Sequence, residues 1–275
     1  MQSIIAIQGI QGSFHHQVAI DYFPLDIQIL ECLTFDTLTA KLVSGKANRA
    51  VMAIENSIAG SIIPNYALLD HHDLQIVGES YLSIHHNLMG LPKQSIQDLK
   101  EIHSHPMALL QCKAFFSKYP HIRLVEAEDT ADIARKIQEE QLHGIGAVAS
   151  IKAAEIFNLK VFSESIQTIK NNITRFVIIQ QKGTLVDQNK INKASLKFVL
   201  DHQRGSLAAV LNVMSDCQLN LTKIQSLPVI ETPGKYAFFV DVTFDSFDFY
   251  QKARSIIQIM ATEFKILGEY QNNKI

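Results

Sequence analysis

Cysteine is scarce in this chain. The three present, Cys32, Cys112 and Cys217, are scattered, odd in number and without metal-ligand spacing, which fits a reducing compartment. A surplus of positive charge is also missing: 25 basic side chains stand against 27 acidic ones, for a formal net charge of -2. Nucleic-acid binders usually carry a basic excess, so no nucleic-acid partner is expected. No stretch approaches the ~18 apolar residues of a membrane span, and no membrane partner is expected either. The opening Met1-Gln2-Ser3-Ile4-Ile5-Ala6-Ile7 has no basic segment, and its apolar run is too short for a signal peptide. Together these absences lead to the expectation of a soluble, cytoplasmic protein.

What is present is a globular composition, with 47% hydrophobic and 19% charged residues in a chain of 275. That supports a sizeable core, excludes disorder over most of the length, and suggests one large domain or two modest ones. Short β-branched runs alternate with helical patterns over the first two thirds of the chain. Strands are predicted at Ile4–Ile7, Ile27–Leu30, Ala50–Ile54, Leu74–Val77, Ile102–Ser104, Ile122–Val125, Ile145–Ala149 and Phe176–Gln180. Helices are predicted at Asp36–Ser44, Pro106–Lys118, Thr130–Glu140 and Ile151–Phe157. This alternation points to an open, mostly parallel α/β sheet. The strand-rich segment 74–90 reads as a crossover between lobes. Residues 183–193 are polar and aperiodic and read as a linker. Beyond it come a strand at Ser195–Leu200, a helix at Ser206–Cys217 and a strand at Leu221–Ile230. After the turn Glu231-Thr232-Pro233-Gly234 follow a strand at Tyr236–Phe244, a helix at Asp248–Phe264 and a strand at Lys265–Tyr270. That is the ferredoxin-like β-α-β-β-α-β order.

Four polar clusters are expected at strand-to-helix transitions of the α/β part, where open α/β sheets bind ligands. The first is Gly9-Ile10-Gln11-Gly12-Ser13-Phe14-His15, whose glycines would let backbone amides approach an anion; a tight turn capped by Ser13 explains it equally well. The second, Glu55-Asn56-Ser57-Ile58-Ala59-Gly60-Ser61, carries more polar side chains than one helix cap needs, although capping by Asn56 or Ser57 is the simpler reading. The third, Ser104 to Cys112, sets Ser104 before a helix and Gln111 within it, as a cap and a solvated glutamine would be. The fourth, Asn171-Asn172-Ile173-Thr174-Arg175-Phe176, opens a strand, so Thr174 could serve only as a β-former and Arg175 as a surface charge. Histidines pair at 15/16, 71/72 and 85/86, with others at 103 and 105, but no Cys-x-x-Cys or His-Glu-x-x-His occurs and no metal is expected. No Gly-x-Ser-x-Gly elbow supports a hydrolase.

In order and spacing these clusters resemble those of the prephenate dehydratase family. Gly9–Phe14 is similar to its opening glycine loop, with His15 where serine is more usual. Ala53-Ile54-Glu55-Asn56-Ser57 followed by Gly60 resembles its Glu-Asn-Ser motif. Ser104-His105-Pro106 with Ala108-Leu109 and Gln111-Cys112, Asp129-Thr130-Ala131, and Gly146–Ser150 with Ala153-Ala154 match further segments. Asn172-Ile173-Thr174-Arg175-Phe176 resembles the Thr-Arg-Phe motif that marks the family most specifically. The C-terminal part resembles an ACT domain, a small module that binds amino acids. It departs from regulated relatives in having Gln225-Ser226-Leu227-Pro228 in place of Glu-Ser-Arg-Pro, and Gly205-Ser206-Leu207 in place of Gly-Ala-Leu.

The resemblance implies a two-lobed catalytic domain at 1–182, like type 2 periplasmic binding proteins, then the linker at 183–193 and an ACT domain at 194–275. It implies conversion of prephenate to phenylpyruvate without a cofactor, L-phenylalanine as effector, and a homodimer or homotetramer. Thr174 would assist the departing hydroxyl, and Arg175 would clamp a carboxylate. Asn56, Ser104 and Gln111 would orient substrate, Glu55 would hold the loop or shape its electrostatics, and Gly12, Ser13, Ser57 and Phe176 would line the site. The effector would meet Arg204, Gly205, Ser206, Leu207, Asn220, Leu221, Gln225, Ser226, Leu227 and Pro228. Alternatives are an arogenate dehydratase, a non-catalytic amino-acid sensor, and a solute-binding protein, which the ACT-like tail disfavours.

Overall fold

A computed structural model describes residues 3–24, 26–183, 190–229, 232 and 234–273. Most of the expected linker, the turn residues Glu231 and Pro233, and Ile230 lie outside the described residues. In chain order the first elements are β1 (Ser3–Gln8), α1 (Phe14–Tyr22), β2 (Ile27–Cys32), α2 (Phe35–Val43), β3 (Arg49–Asn56), β4 (Gly60–Ser61), α3 (Ile63–His71) and β5 (Leu74–Ser83). Next come β6 (Asn87–Gly90), a 3-10 turn at Ile96–Asp98, β7 (Glu101–Ser104), α4 (Pro106–Gln111), α5 (Lys113–Phe116), β8 (Arg123–Glu126), α6 (Thr130–Glu139), β9 (Ile145–Ala149), α7 (Ile151–Ile156), β10 (Lys160–Ser163) and β11 (Ile173–Gln181). The last are β12 (Lys193–Val199), α8 (Ser206–Asp216), β13 (Asn220–Pro228), β14 (Tyr236–Thr243), α9 (Phe247–Met260) and β15 (Glu263–Tyr270). No described helix is long and apolar enough to cross a membrane.

The chain folds as two compact units, one of Met1–Ile62 and Ser80–Phe176, the other of Ile63–Glu79 and Val177–Ile275. In the first unit β1 pairs in parallel with β2 and β3, and β4 folds back on the end of β3. Ala50 through Ile54 of β3 are all buried, the continuous apolar run of a strand covered on both faces. The second sheet of this unit runs β10-β6-β9-β7-β8, mixed in direction. Ala131, Ala134 and Ile137 recur on one face of α6 and pack into a core with Met89, Ala147 and Ala149. Ser13, Thr34, Asp129 and Ser150 each accept a backbone N–H in the first turn of α1, α2, α6 and α7, so polar residues just after strands start the helices.

In the second unit β12, β13, β14 and β15 form an antiparallel sheet in the order β13-β14-β12-β15, which is the ferredoxin-like arrangement. Leu196, Phe198, Val210, Met214, Val240, Tyr250 and Ile257 fill its core. β15 also meets β5 in parallel at Gly268 and Ile76. A Cβ on Gly268 would stand 2.3 Å from the Ile76 carbonyl oxygen, so only glycine allows that approach.

Two predicted helices are shorter than their sequence patterns. The one expected over Pro106–Lys118 breaks at Cys112, because the Gln111 carbonyl accepts from the Thr168 N–H at 2.9 Å instead of from its own helix. The one expected to reach Phe264 stops at Met260: Ala261 turns extended and the Thr262 N–H donates to Val199 O, which starts the pairing of β15 with β12. The helices α1 and α3 and the short strands β4, β6 and β10 add to the predicted set.

Candidate functional site

The Glu55-Asn56-Ser57 cluster caps no helix. β3 ends at Asn56, whose Oδ1 accepts the backbone N–H groups of Ile58 and Ala59 at 3.0 and 2.9 Å and closes a tight turn into β4. With Oδ1 so engaged, Asn56 can present only its amide hydrogens elsewhere. They go to Asn172 Oδ1 at 2.7 Å and Thr174 Oγ1 at 2.9 Å. Asn172 thereby turns its own Nδ2 outward, and that group donates to Gln111 Oε1 at 2.9 Å. Gln111 Oε1 also lies 2.9 Å from His86 Nε2. Ser57 completes the frame: its hydroxyl accepts from the Ile173 N–H at 2.9 Å and donates to the Asn171 carbonyl at 3.3 Å.

Residues far apart in sequence therefore form one directed run of side chains. Its consequence falls on Thr174. The Thr174 oxygen accepts from Asn56, and among the described residues nothing accepts the hydroxyl proton. A bound molecule with a lone pair in reach would receive it. The amide nitrogen of Gln111 is likewise left as a donor, because both bonds of Gln111 fall on its oxygen. The arrangement offers hydrogen-bond donors, which suits an anionic or hydroxyl-bearing ligand.

The remaining expected residues take several places. Arg175 is buried, not a surface charge, and Phe176 is 1% exposed. The His15 ring meets Phe176 edge-on with centroids 5.0 Å apart, and His15 Nε2 accepts the Ala53 N–H at 3.3 Å. Burial alone pushes the His15 pKa down to about 3, so this imidazole is neutral. Glu55 pairs across the turn with Ser61. Ser104 is fully buried and donates to the Val148 carbonyl at 2.6 Å, which ties β7 to β9. The cap of α4 is His105 instead, through Nδ1 to the Met107 N–H. In the glycine loop Ser13 caps α1, while the Gly12 carbonyl accepts from Ser150 Oγ at 2.5 Å. Gly12 has φ +89°, and a Cβ there would lie 3.0 Å from the Ala153 Cα, so the loop fits against α7 only without a side chain.

His86 and Asn172 are members of the run that carried no role in the sequence reading. A histidine beside another histidine has no diagnostic spacing, and Asn172 was visible only as the flank of Thr174-Arg175-Phe176. Among the described residues no group of three or more His, Cys, Asp and Glu is placed to hold a metal ion.

The expected effector residues lie in the second unit. Gly205, at φ +90°, is the N-cap of α8, with Arg204 before it and Ser206 and Leu207 in the first turn. Asn220, Leu221, Gln225, Ser226, Leu227 and Pro228 lie along β13, the outermost strand of the ferredoxin-like sheet. Gln225 Nε2 donates to the Ser226 carbonyl at 3.0 Å.

The prephenate dehydratase family model matches residues 5–184. The chain belongs to that family. It is 35% identical to arogenate dehydratase/prephenate dehydratase 2 of Arabidopsis thaliana, over 97% of this chain and 72% of the plant protein. Its fold matches a solved structure described as a novel type of quorum-quenching acylase, with TM-score 0.88, 28% identity and 98% of each chain covered. It also matches the prephenate dehydratase of Arthrobacter aurescens in complex with L-Phe, with TM-score 0.87, 23% identity, and 98% and 90% of the two chains covered. Of the sequence expectations, membership of the dehydratase family and an α/β fold are thereby established, but the sheets are mixed in direction and not mostly parallel, because β6 pairs antiparallel with β9 and β10 and the strands of the second unit pair antiparallel.

Proposed function

We propose that this protein dehydrates and decarboxylates prephenate to phenylpyruvate, with Thr174 as the residue that assists the leaving hydroxyl. The carrying observation is the uncommitted proton of Thr174, whose oxygen is held by Asn56, in a chain of the prephenate dehydratase family. The bond from ring carbon to carboxylate breaks and its electron pair enters the ring. The ring hydroxyl departs with a proton as water, and carbon dioxide leaves. Aromatisation drives the step, so the protein's work is to orient a dianion and supply that proton or hydrogen bond. Gln111, through its free amide N–H groups, and Arg175 are the carboxylate partners in this reading. Asn56 and Asn172 hold Thr174 and Gln111 in place, and the chemistry needs no cofactor.

The reading extends to architecture. Residues 1–182 serve as a two-lobed catalytic domain, and 194–275 as an ACT domain that senses L-phenylalanine. The β-α-β-β-α-β topology supports the second assignment, and β13, as an outermost strand, offers an edge on which a second copy can pair. An acylase, as one structural neighbour is described, would need a nucleophile with a base in reach if it worked by covalent catalysis. Thr174 instead has an amide as its partner. The deciding assay follows phenylpyruvate from prephenate, and phenylalanine from arogenate, with purified protein and no added cofactor. Turnover of prephenate supports the reading, a clear preference for arogenate moves it to the plant-type substrate, and inertness toward both sinks it.

A further inference from the structure

Asn56 anchors the polarity of the whole side-chain run, because two backbone N–H groups fix which end of its amide is oxygen. Each following group is then determined in turn. Asn172 must accept on Oδ1 and donate from Nδ2, and Gln111 must receive that donation on Oε1. The last contact, between Gln111 Oε1 and His86 Nε2, joins an atom that carries no hydrogen to a ring nitrogen. The bond exists only if His86 Nε2 is protonated. His86 is 4% exposed, and its Nδ1 is buried without a partner. A proton there would be an unsatisfied buried donor, so the ring is held as the neutral Nε2–H tautomer.

The surroundings hold the ring where it is. Its backbone N–H donates to Gln167 Oε1 at 3.0 Å, its carbonyl accepts from the Ile166 N–H at 2.8 Å, and the Phe14 ring meets it edge-on at 5.8 Å. His85 and His105 oppose a positive charge on it, and burial opposes it more strongly.

We infer that His86 is a positioning residue of this site: its Nε2–H and the Asn172 amide together hold the Gln111 oxygen, which leaves the Gln111 amide N–H groups as donors for a bound ligand. This rests on the dehydratase reading above and deepens it. Without the His86 donor, Gln111 Oε1 keeps only the Asn172 bond, and the amide loses one of the two contacts that fix its orientation. Asn56 keeps its own backbone anchor, so the Thr174 hydroxyl stays as it was. The N–H groups that meet the substrate carboxylate would then be oriented only part of the time.

The test compares His86→Gln with His86→Asn. Both are neutral amides, but only the glutamine amide reaches the place of Nε2, whereas asparagine ends near that of Nδ1. The glutamine variant is expected to keep kcat/KM within about threefold. The asparagine variant is expected to lose about fivefold or more in kcat/KM, the scale of one neutral hydrogen bond, with similar melting temperatures for the two. In a Gln111→Ala background the difference between them should shrink toward nothing, because the group His86 acts through is gone. Equal kcat/KM for the two variants overturns the proposal. So does a difference that persists undiminished without the Gln111 amide, or two variants that fail to fold, which would make His86 a packing residue. If instead Gln111→Ala alone kept full activity, the fault would lie with the role given to Gln111 and not with the comparison at His86.

Discussion

Lys193 Nζ lies 2.9 and 2.8 Å from the two carboxylate oxygens of Glu79, and neither side chain is more than 3% exposed. The pair joins the first residue of β12 to β5, and Asn273 adds N–H bonds to Glu79 from the C-terminal side. A buried ion pair seldom adds net stability over an apolar pair of the same size, yet losing one partner strands the other. The second unit therefore depends on both residues or on neither.

Glu79→Gln should destabilise the protein by about 3–5 kcal/mol, since it removes the carboxylate charge that balances the buried Lys193 ammonium. The double change Glu79→Leu with Lys193→Met should cost much less. Urea unfolding of the three proteins checks this, and a double variant as unstable as the single one would refute it.

At the site, the direction of the Asn56 bond matters more than its existence. Asn56→Asp replaces the donor to Thr174 with an oxygen that accepts the hydroxyl proton. It also sets like against like at Asn172 Oδ1. A kcat loss of ~10² or more is expected, within the range for a misplaced proton donor. Thr174→Ala should lower kcat by ~10²–10⁴ with a smaller change in KM, while Thr174→Ser keeps most of the rate. Steady-state kinetics on prephenate separates these cases. An aspartate variant with near-normal kcat would remove the argument from donor direction.

Much of this was legible from the sequence, and the limits have physical causes. β9 was predicted with its full span because an apolar run sits between Gly144 and Ser150, and α6 because Asp129 caps a strongly periodic stretch. The helix α3 has Pro64 and Asn65 in its first turn and no clear polar face, so it carried no signal. At the site, Thr174, Asn56 and Gln111 were found through motif order. What they do to one another was not, since their bonds span 61 to 118 positions and depend on which end of an amide faces which neighbour. Ser104 shows the opposite error: a strand-end serine reads as a cap, but its hydroxyl is spent on Val148.

Stability should fall with acid, and His15 sets the sign. Its folded-state pKa of about 3 lies below the ordinary imidazole value of 6.5, so between those values the unfolded chain binds the extra proton. The contribution is complete above ~pH 6.5 and is lost as pH drops toward 3, at up to about 1.4 kcal/mol per pH unit. His16 and His86, also lowered chiefly by burial, act in the same direction. Unfolding free energies measured from pH 7 to 4 should show this slope, and His15→Leu should flatten it by up to one proton's worth. An unchanged slope in that variant would rule out His15 as the titrating group.

L-Phenylalanine is expected to bind the ferredoxin-like module yet inhibit only shallowly. Binding is favoured at the turn Arg204-Gly205-Ser206, where Gly205 in the left-handed region opens α8. The first N–H groups of such a helix suit an amino acid's carboxylate. Against strong control stand Gln225 and Leu227 on β13, where regulated relatives carry a carboxylate and a guanidinium. Gln225 spends its amide on the neighbouring Ser226 carbonyl, a bond within its own strand. Leu227 offers no charge at all. A ligand shifts a conformational equilibrium only by the difference in its affinity for the two states. Removing two charged groups that would distinguish those states reduces that difference without removing the binding turn. Two titrations separate binding from coupling, one following melting temperature and one following turnover of prephenate. Thermal stabilisation with partial, shallow inhibition is the expected pair. Steep inhibition at low phenylalanine would refute the argument from Gln225 and Leu227, and Gln225→Glu with Leu227→Arg should then add nothing. If the argument holds, that double change should steepen inhibition while leaving uninhibited turnover as it was. No stabilisation at saturating phenylalanine would refute binding itself.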